Sequence, residues 1–482
     1  MKNHLSAALL LMLLSACATN PVSQSSDFVL MSEKEELSLG KQLEGQYQQQ
    51  LPLLDAKDPL VVYVNEIGQK VAKVSDRPEL FYHFYVVDDA TINAFALPGG
   101  YIYIHRGLLN YLNSEAELAS VLGHEIGHVA ARHAVQRYTQ VKAYQVGMMM
   151  TSIFVPIQQN VGNLTDLFAA SFISGFGREQ ELQSDELALK YAPNAGYDPY
   201  AVVQLLTVLN RLEEVDKKEQ KDAGNKVSEY HGAFASHPET KKRIMQIVDQ
   251  EKLQHAEGLV NHDRYLAALN GYAYGDRASD GAVMGQRFVH PELKLQLQFP
   301  ERWVLQNGAN ALIARVRKEQ AFFRLFLQPL LKRQTAEDVL REVFRKEKIT
   351  YLKADKALGY AAAHAHVEGS APNMKNAAMD VLVWLKGEQA FVMMMWSKKS
   401  EFASYEVDFN AIGSSLKSFD ATQKGGIPRM ALHVWHEGDS WEKLAAQSNQ
   451  ILGKFTAERF AILNGLPLSG EPEVGSMIKI VE

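Results

Sequence analysis

From residue 115 onward the apolar positions fall at helical spacing: Leu118, Leu122, Ile126 and Val129 follow one another at three or four residues, with Val121 beside Leu122. Ser114-Glu115-Ala116-Glu117 precedes them and reads as a capping box, with serine at the N-cap and glutamate three residues on. No proline interrupts 115–137, so the pattern predicts one long, partly buried helix. Residues 177–185 are predicted to lie on a second helix. Upstream, Pro98-Gly99-Gly100 predicts a tight turn, after which Tyr101 to His105 alternates like a strand.

After about residue 275 the rhythm shifts. Residues 271–285 are rich in Gly, Ala and Asp and read as a linker. Strands are expected over 293–299, 311–316, 322–329, 381–385 and 391–396, with helices over 336–346 and 406–416. This is an α+β module, 286–422, with no catalytic constellation. His364 and His366 alternate on one of its expected strands and read as structural.

Chemistry enters at His124-Glu125-Ile126-Gly127-His128, an H-E-x-x-H sequence on the expected helix. Residues four apart share a helix face, so His124 and His128 can aim two imidazoles at one ion. Glu125 lies about 100° round the helix and is left to handle the proton of a water. The competing reading, two histidines on an amphipathic helix, loses ground because the motif lies on a capped, partly buried helix, where a zinc site needs it. Glu181 and Asp185 are four apart on the second helix. Glu181 would complete a three-ligand zinc site. Asp185 would accept a hydrogen bond from a ligand histidine. Glu179 belongs to a solvated acidic face.

The chain at this point resembles the M48 family of zinc metallopeptidases, in particular its soluble periplasmic branch. Four blocks carry the likeness: Asn93-Ala94-Phe95-Ala96-Leu97-Pro98-Gly99-Gly100-Tyr101-Ile102; the H-E-x-x-H helix; Glu181 to Asp185 with Ala195-Gly196-Tyr197-Asp198-Pro199; and Ser236-His237-Pro238-Glu239 leading to Arg243-Ile244. They span about residues 30 to 250. The third-ligand segment departs from the family's S-R-x-x-E-x-E-A-D pattern, with Gly177, Gln183 and Ser184 in place of Ser, Glu and Ala.

The resemblance implies a mainly helical zincin domain of the gluzincin type with a small edge-stranded sheet. It implies one zinc ion per chain, held by His124, His128 and Glu181, and an edge strand at Tyr101 to His105 that pairs with substrate backbone. It makes His237 a removable fourth ligand that keeps the enzyme latent. Alternatively, His237 or Arg243 donates to the oxyanion of the transition state. The plain alternative is a helix-start His-Pro pair, because Pro238 suits a first helical turn. His133 and His231 read as structural.

The N-terminus bears on compartment. Lys2 and His4 precede an apolar run from Leu5 to Leu14, followed by Leu14-Ser15-Ala16-Cys17. This is a short secretory segment, 1–16, resembling a lipoprotein signal, and Cys17 is the single cysteine of 482 residues. Lipid on Cys17 would anchor the chain to the outer membrane facing the periplasm. The peptidase domain is expected over 17–275. Residues 430–482 resemble a LysM domain of βααβ order, through Gly438-Asp439-Ser440 and Leu463-Asn464-Gly465-Leu466; such domains commonly bind N-acetylglucosamine polymers such as peptidoglycan, and a purely structural role is the alternative.

Fifty basic and 56 acidic residues leave a net charge of −6, which gives no sign of a nucleic-acid partner. The expected substrates are unfolded or misassembled envelope proteins. A different function class stays open, in which the peptidase is held latent and the chain acts as a chaperone-like or wall-binding adaptor.

Overall fold

The computed structural model describes residues 17–152, 176–222, 237, 243, 257–308, 310–316, 320–331, 333–420, 426–448 and 455–482. The expected secretory segment, His231, and the flanks of His237 and Arg243 lie outside the described residues. Elements are mixed helices and sheets throughout.

The expected long helix is two. Helix Glu115–Ala130 is buried along its entire length, and its N-cap Ser114 accepts from the backbone N–H of Glu117. The capping box is not reciprocal: the Glu117 carboxylate instead accepts from Asn113 N at 2.8 Å. At the other end Arg132 takes a left-handed φ of 57° and breaks the rod before helix His133–Ser152 begins. Arg132 is held there by Glu36 Oε2 at 2.8 Å and the Met31 carbonyl at 3.1 Å. Glu36 also binds Arg77 at 2.9 Å, and Arg77 reaches the Val129 carbonyl. A buried charge network thus clamps the C-terminal end of the H-E-x-x-H helix.

The second helix, Arg178–Asn194, packs directly on the first. Gly127 permits the approach, because a Cβ there would stand 3.1 Å from Leu187 Cβ and 3.3 Å from Ser184 Cα. A three-stranded sheet backs this pair. Its central strand is Tyr101–His105, parallel to His83–Val87 and antiparallel to Ala94–Leu97. Tyr101–His105 is therefore not an edge. The edge strand that packs on helix Glu115–Ala130 is Ala94–Leu97. Gly99 and Gly100, at φ of 80° and 94°, make the turn between these two strands.

The α+β module is built on a seven-stranded antiparallel sheet. Strand Gln389–Lys398 shows why it carries two cores. Met393 and Met395 face a core with Tyr405, Phe409 and Ile412 of helix Phe402–Ser414. Val392, Met394 and Trp396 face the opposite core with Val339 and Leu340 of helix Ala336–Val343. His364 of strand Tyr360–Ala371 contacts Asp380 at 2.6 Å, and His366 packs edge-on against Phe402. The expected linker is ordered: Arg106 donates to the carbonyls of Ala273 and Gly275, and Ala282–Met284 forms a strand.

The C-terminal elements run β-α-α-β, Met430–Val434, Trp441–Gln447, Thr456–Leu463 and Met477–Val481, with the two strands antiparallel. They do not form a core of their own. Trp435, Trp441, Phe460 and Ile478 share one continuous core with Leu118, Leu122 and Leu212. Lys479, fully buried, donates to the carbonyls of Asn110 and Leu112 at 2.8 and 2.5 Å. Arg459 binds Asp216 and Glu219 at 2.8 and 2.9 Å.

Candidate active site

Helix Glu115–Ala130 presents His124 and His128 on one face, one turn apart, with their Nε2 atoms 3.0 Å from each other. Helix Arg178–Asn194 brings Glu181 opposite them, its two carboxylate oxygens each 3.6 Å from one histidine Nε2. His237 adds a fourth donor. Its Nδ1 lies 3.3 Å from His124 Nε2 and 3.0 Å from both Glu181 oxygens. All four residues are buried, and their ligand atoms fall within 4.8 Å of one another.

Do these donors fit a metal ion? Ligand bonds of about 2.0–2.1 Å in a tetrahedron place ligand atoms about 3.3 Å apart. The distances of 3.0 to 3.6 Å bracket that value. Two imidazole lone pairs facing each other without a cation would be unfavourable, and a nitrogen-oxygen set is what a borderline ion takes. The group could therefore hold one metal ion.

Charges around the cluster are arranged for that purpose. Asp185 Oδ1 lies 2.9 Å from His124 Nδ1, which leaves Nε2 as the free lone pair. Burial disfavours the protonated form of His124, yet in the metal-free protein Asp185 and Glu181 outweigh it and push the imidazole up to about 9. Burial, with His124 beside it, holds His128 well below its ordinary range. Burial raises the Glu181 carboxyl, but His237, His124 and His128 outweigh it and hold it well below the usual carboxylate range.

Arg243 grips Asp185 with two hydrogen bonds, Nε at 2.7 Å and Nη2 at 2.6 Å. Its Nη1 lies 3.2 Å from Glu181 Oε2 and donates to the His237 carbonyl at 3.4 Å. These contacts commit the guanidinium to the carboxylates that surround the cluster.

Glu125 is 1% exposed, and burial raises its carboxyl pKa against the pull of His237 and His124. Its Oε1 lies 3.5 Å from His237 Nε2, and its Oε2 is a buried oxygen with no hydrogen-bond partner among the described residues. Such a carboxylate gains by taking up a proton. Beside His124 and Glu125 a pocket is lined by Val121, Val202, Leu205, Leu206 and Leu209.

His133 belongs to this site, although its position in the sequence reads as structural. Its Nδ1 lies 2.9 Å from His128 Nδ1, and its Nε2 lies 2.8 Å from Gln183 Oε1. On a continuous helix, residues five apart point about 140° away from each other. The break at Arg132 turns His133 back onto His128, and no spacing rule for a straight helix would find it. Phe176 stacks on His128 at 4.0 Å between ring centroids. A separate, partly exposed group of His433, His436 and Asp439 lies in the C-terminal elements, where Asp439 accepts from the His436 backbone and orders the turn.

Comparison with known proteins agrees with this geometry. Residues 61–251 match the sequence model of Peptidase family M48. The chain is 30% identical over 172 residues to mitochondrial metalloendopeptidase OMA1 of Arabidopsis thaliana, covering 36% of this chain and 32% of that protein. It is 28% identical over 196 residues to the Schizosaccharomyces pombe protein of the same name, covering 40% and 54%. It is 29% identical over 189 residues to the beta-barrel assembly-enhancing protease of Yersinia pestis, covering 37% and 38%. Each match spans less than two thirds of the relative's own length. Among the described residues, no helix is long and apolar enough to cross a membrane. From residue 61 to residue 251 this chain carries a Peptidase family M48 domain, a metallopeptidase domain.

Proposed function

We propose that this chain is a zinc metalloendopeptidase, anchored to the outer membrane through lipid on Cys17 and facing the periplasm, that cuts unfolded or misassembled envelope proteins. The observation that carries the chemistry is the buried convergence of His124, His128 and Glu181 with Glu125 beside them. The Leu14-Ser15-Ala16-Cys17 sequence and the likeness to the bacterial beta-barrel assembly-enhancing proteases support the location and substrate class.

His124, His128 and Glu181 would hold the zinc. When bound, zinc supplies Lewis acidity at the scissile carbonyl and makes water acidic enough to lose a proton near neutral pH. Glu125 accepts that proton on its carboxylate and returns it to the leaving amine nitrogen. Asp185 keeps His124 in the ligand tautomer, and Arg243 keeps Asp185 in place. The edge strand Ala94–Leu97 is where extended substrate backbone would add, giving affinity without sequence choice. The pocket of Val121, Val202, Leu205, Leu206 and Leu209 favours an apolar side chain next to the cut.

His237 supports a second reading. With its Nδ1 among the ligand atoms, the enzyme is latent until His237 leaves, and in that state the chain can act as an adaptor, with 430–482 offering contact to peptidoglycan. The deciding experiment is degradation of casein by the zinc-loaded chain from residue 18, with Glu125→Gln as control. Cleavage by the unsubstituted chain alone establishes the peptidase. Absence of cleavage in both, with zinc bound, favours the latent adaptor.

A further inference from the structure

We propose that His133, oriented by Gln183, fixes the tautomer of His128 and so directs the His128 Nε2 lone pair at the metal. The proposal rests on the zinc-site reading above. It concerns residues to which neither the family motif nor the ligand set assigns a role.

The argument is one of proton accounting along a short chain of hydrogen bonds. A neutral histidine carries one N–H. Gln183 Oε1 can only accept, so at 2.8 Å it takes the N–H from His133 Nε2. His133 Nδ1 is then an acceptor. At 2.9 Å it takes the N–H from His128 Nδ1. That leaves His128 Nε2 with a lone pair, on the side where His124 Nε2 stands 3.0 Å away. Reversing any link puts two N–H groups, or two lone pairs, face to face in a buried place.

The surroundings reinforce this direction. His133 is fully buried and meets His128 edge to face at 5.0 Å between centroids. Ser184 Oγ lies 3.4 Å from His133 Nδ1, and its hydroxyl is free to donate toward the same lone pair. Gln183 and Ser184 are two of the positions at which this segment departs from the family pattern, and both touch His133. His124 is served differently, by the charged Asp185 at 2.9 Å. The two ligand histidines thus have unlike supports, one anionic and one neutral.

His133 acts through His128 and is a positioning residue, and its test must separate orientation from packing. His133→Phe keeps the ring and its contact with His128 but cannot accept; His133→Asn restores an acceptor; Gln183→Leu removes the group that sets the His133 tautomer. Zinc affinity is measured by chelator competition on the full chain, with unchanged circular dichroism as the check of folding. The expected loss is about 10- to 100-fold for His133→Phe and Gln183→Leu, with His133→Asn closer to the unsubstituted chain. Long-range nitrogen–proton NMR on the metal-free protein is expected to find His128 protonated at Nδ1, and a tautomer mixture after Gln183→Leu. Equal zinc affinity in all four proteins, or His128 protonated at Nε2, overturns the proposal. Failure of the unsubstituted chain to bind zinc overturns the metal reading instead, and the NMR measurement then still decides the tautomer.

Discussion

His237 Nδ1 lies 3.0 Å from both carboxylate oxygens of Glu181, on the same side as the two ligand histidines. A donor in that place would compete with water and substrate for an ion held in the proposed site. His237→Ala is therefore expected to raise casein cleavage several-fold while weakening zinc retention. Turnover and zinc content measured on the same preparation check this, and a fall in turnover at full zinc occupancy would instead assign His237 to the transition state.

Glu125 holds no ligand position in the proposed site, so Glu125→Gln should keep one zinc per chain. Peptide hydrolysis should fall by about 10²- to 10⁴-fold, the usual worth of a positioned general base. Metal analysis beside a fluorogenic peptide assay tests both halves. Normal turnover by this variant removes Glu125 from the mechanism.

Arg243 is the cation that two buried carboxylates share. Removing one member of a buried ion pair strands the other charge and costs about 3–5 kcal/mol. Arg243→Ala should lower the urea midpoint accordingly and weaken zinc binding by about 10- to 100-fold through misorientation of Asp185 and Glu181. A variant with unchanged zinc affinity would separate Arg243 from the site.

Lys479 ties the last strand to the end of helix Arg106–Tyr111, just before the H-E-x-x-H helix, through the carbonyls of Asn110 and Leu112. Lys479→Met leaves those carbonyls without that donor and removes the positive charge that acts on buried Glu117, at a cost of about 1–3 kcal/mol. Because the C-terminal elements share the peptidase core, deleting 430–482 should also lower the stability of the peptidase domain. Calorimetry that found the domain equally stable without 430–482 would contradict this.

His290 offers a pH test away from the candidate metal ligands. Burial lowers its pKa to about 4, against about 6.5 in an unfolded chain. The unfolded chain therefore binds the proton first as pH falls. His290's contribution to stability is complete above pH 6.5 and is lost progressively as pH drops through that value toward 4. Urea midpoints between pH 7.5 and 4.5 should fall less steeply for His290→Gln than for the unsubstituted chain.

Local sequence determined much of this protein. Apolar residues spaced three and four positions apart required a helix from residue 115, and four-residue spacing put His124 with His128 and Glu181 with Asp185, because both are consequences of helical geometry. Glycines at Gly99 and Gly100 marked the turn, since the chain there needs positive φ. Tertiary structure decided the rest. The break at Arg132 depends on Glu36, nearly a hundred residues away, and it alone turns His133 onto His128. Which strand becomes an edge depends on pairing partners, so Tyr101–His105 ended in the middle of its sheet and Ala94–Leu97 at its rim. Strand Met477–Val481 carries an apolar pattern that any small domain could have used, and only the surface it met made it part of the peptidase core. Periodicity reports the face a segment must bury; what covers that face is set by distant contacts.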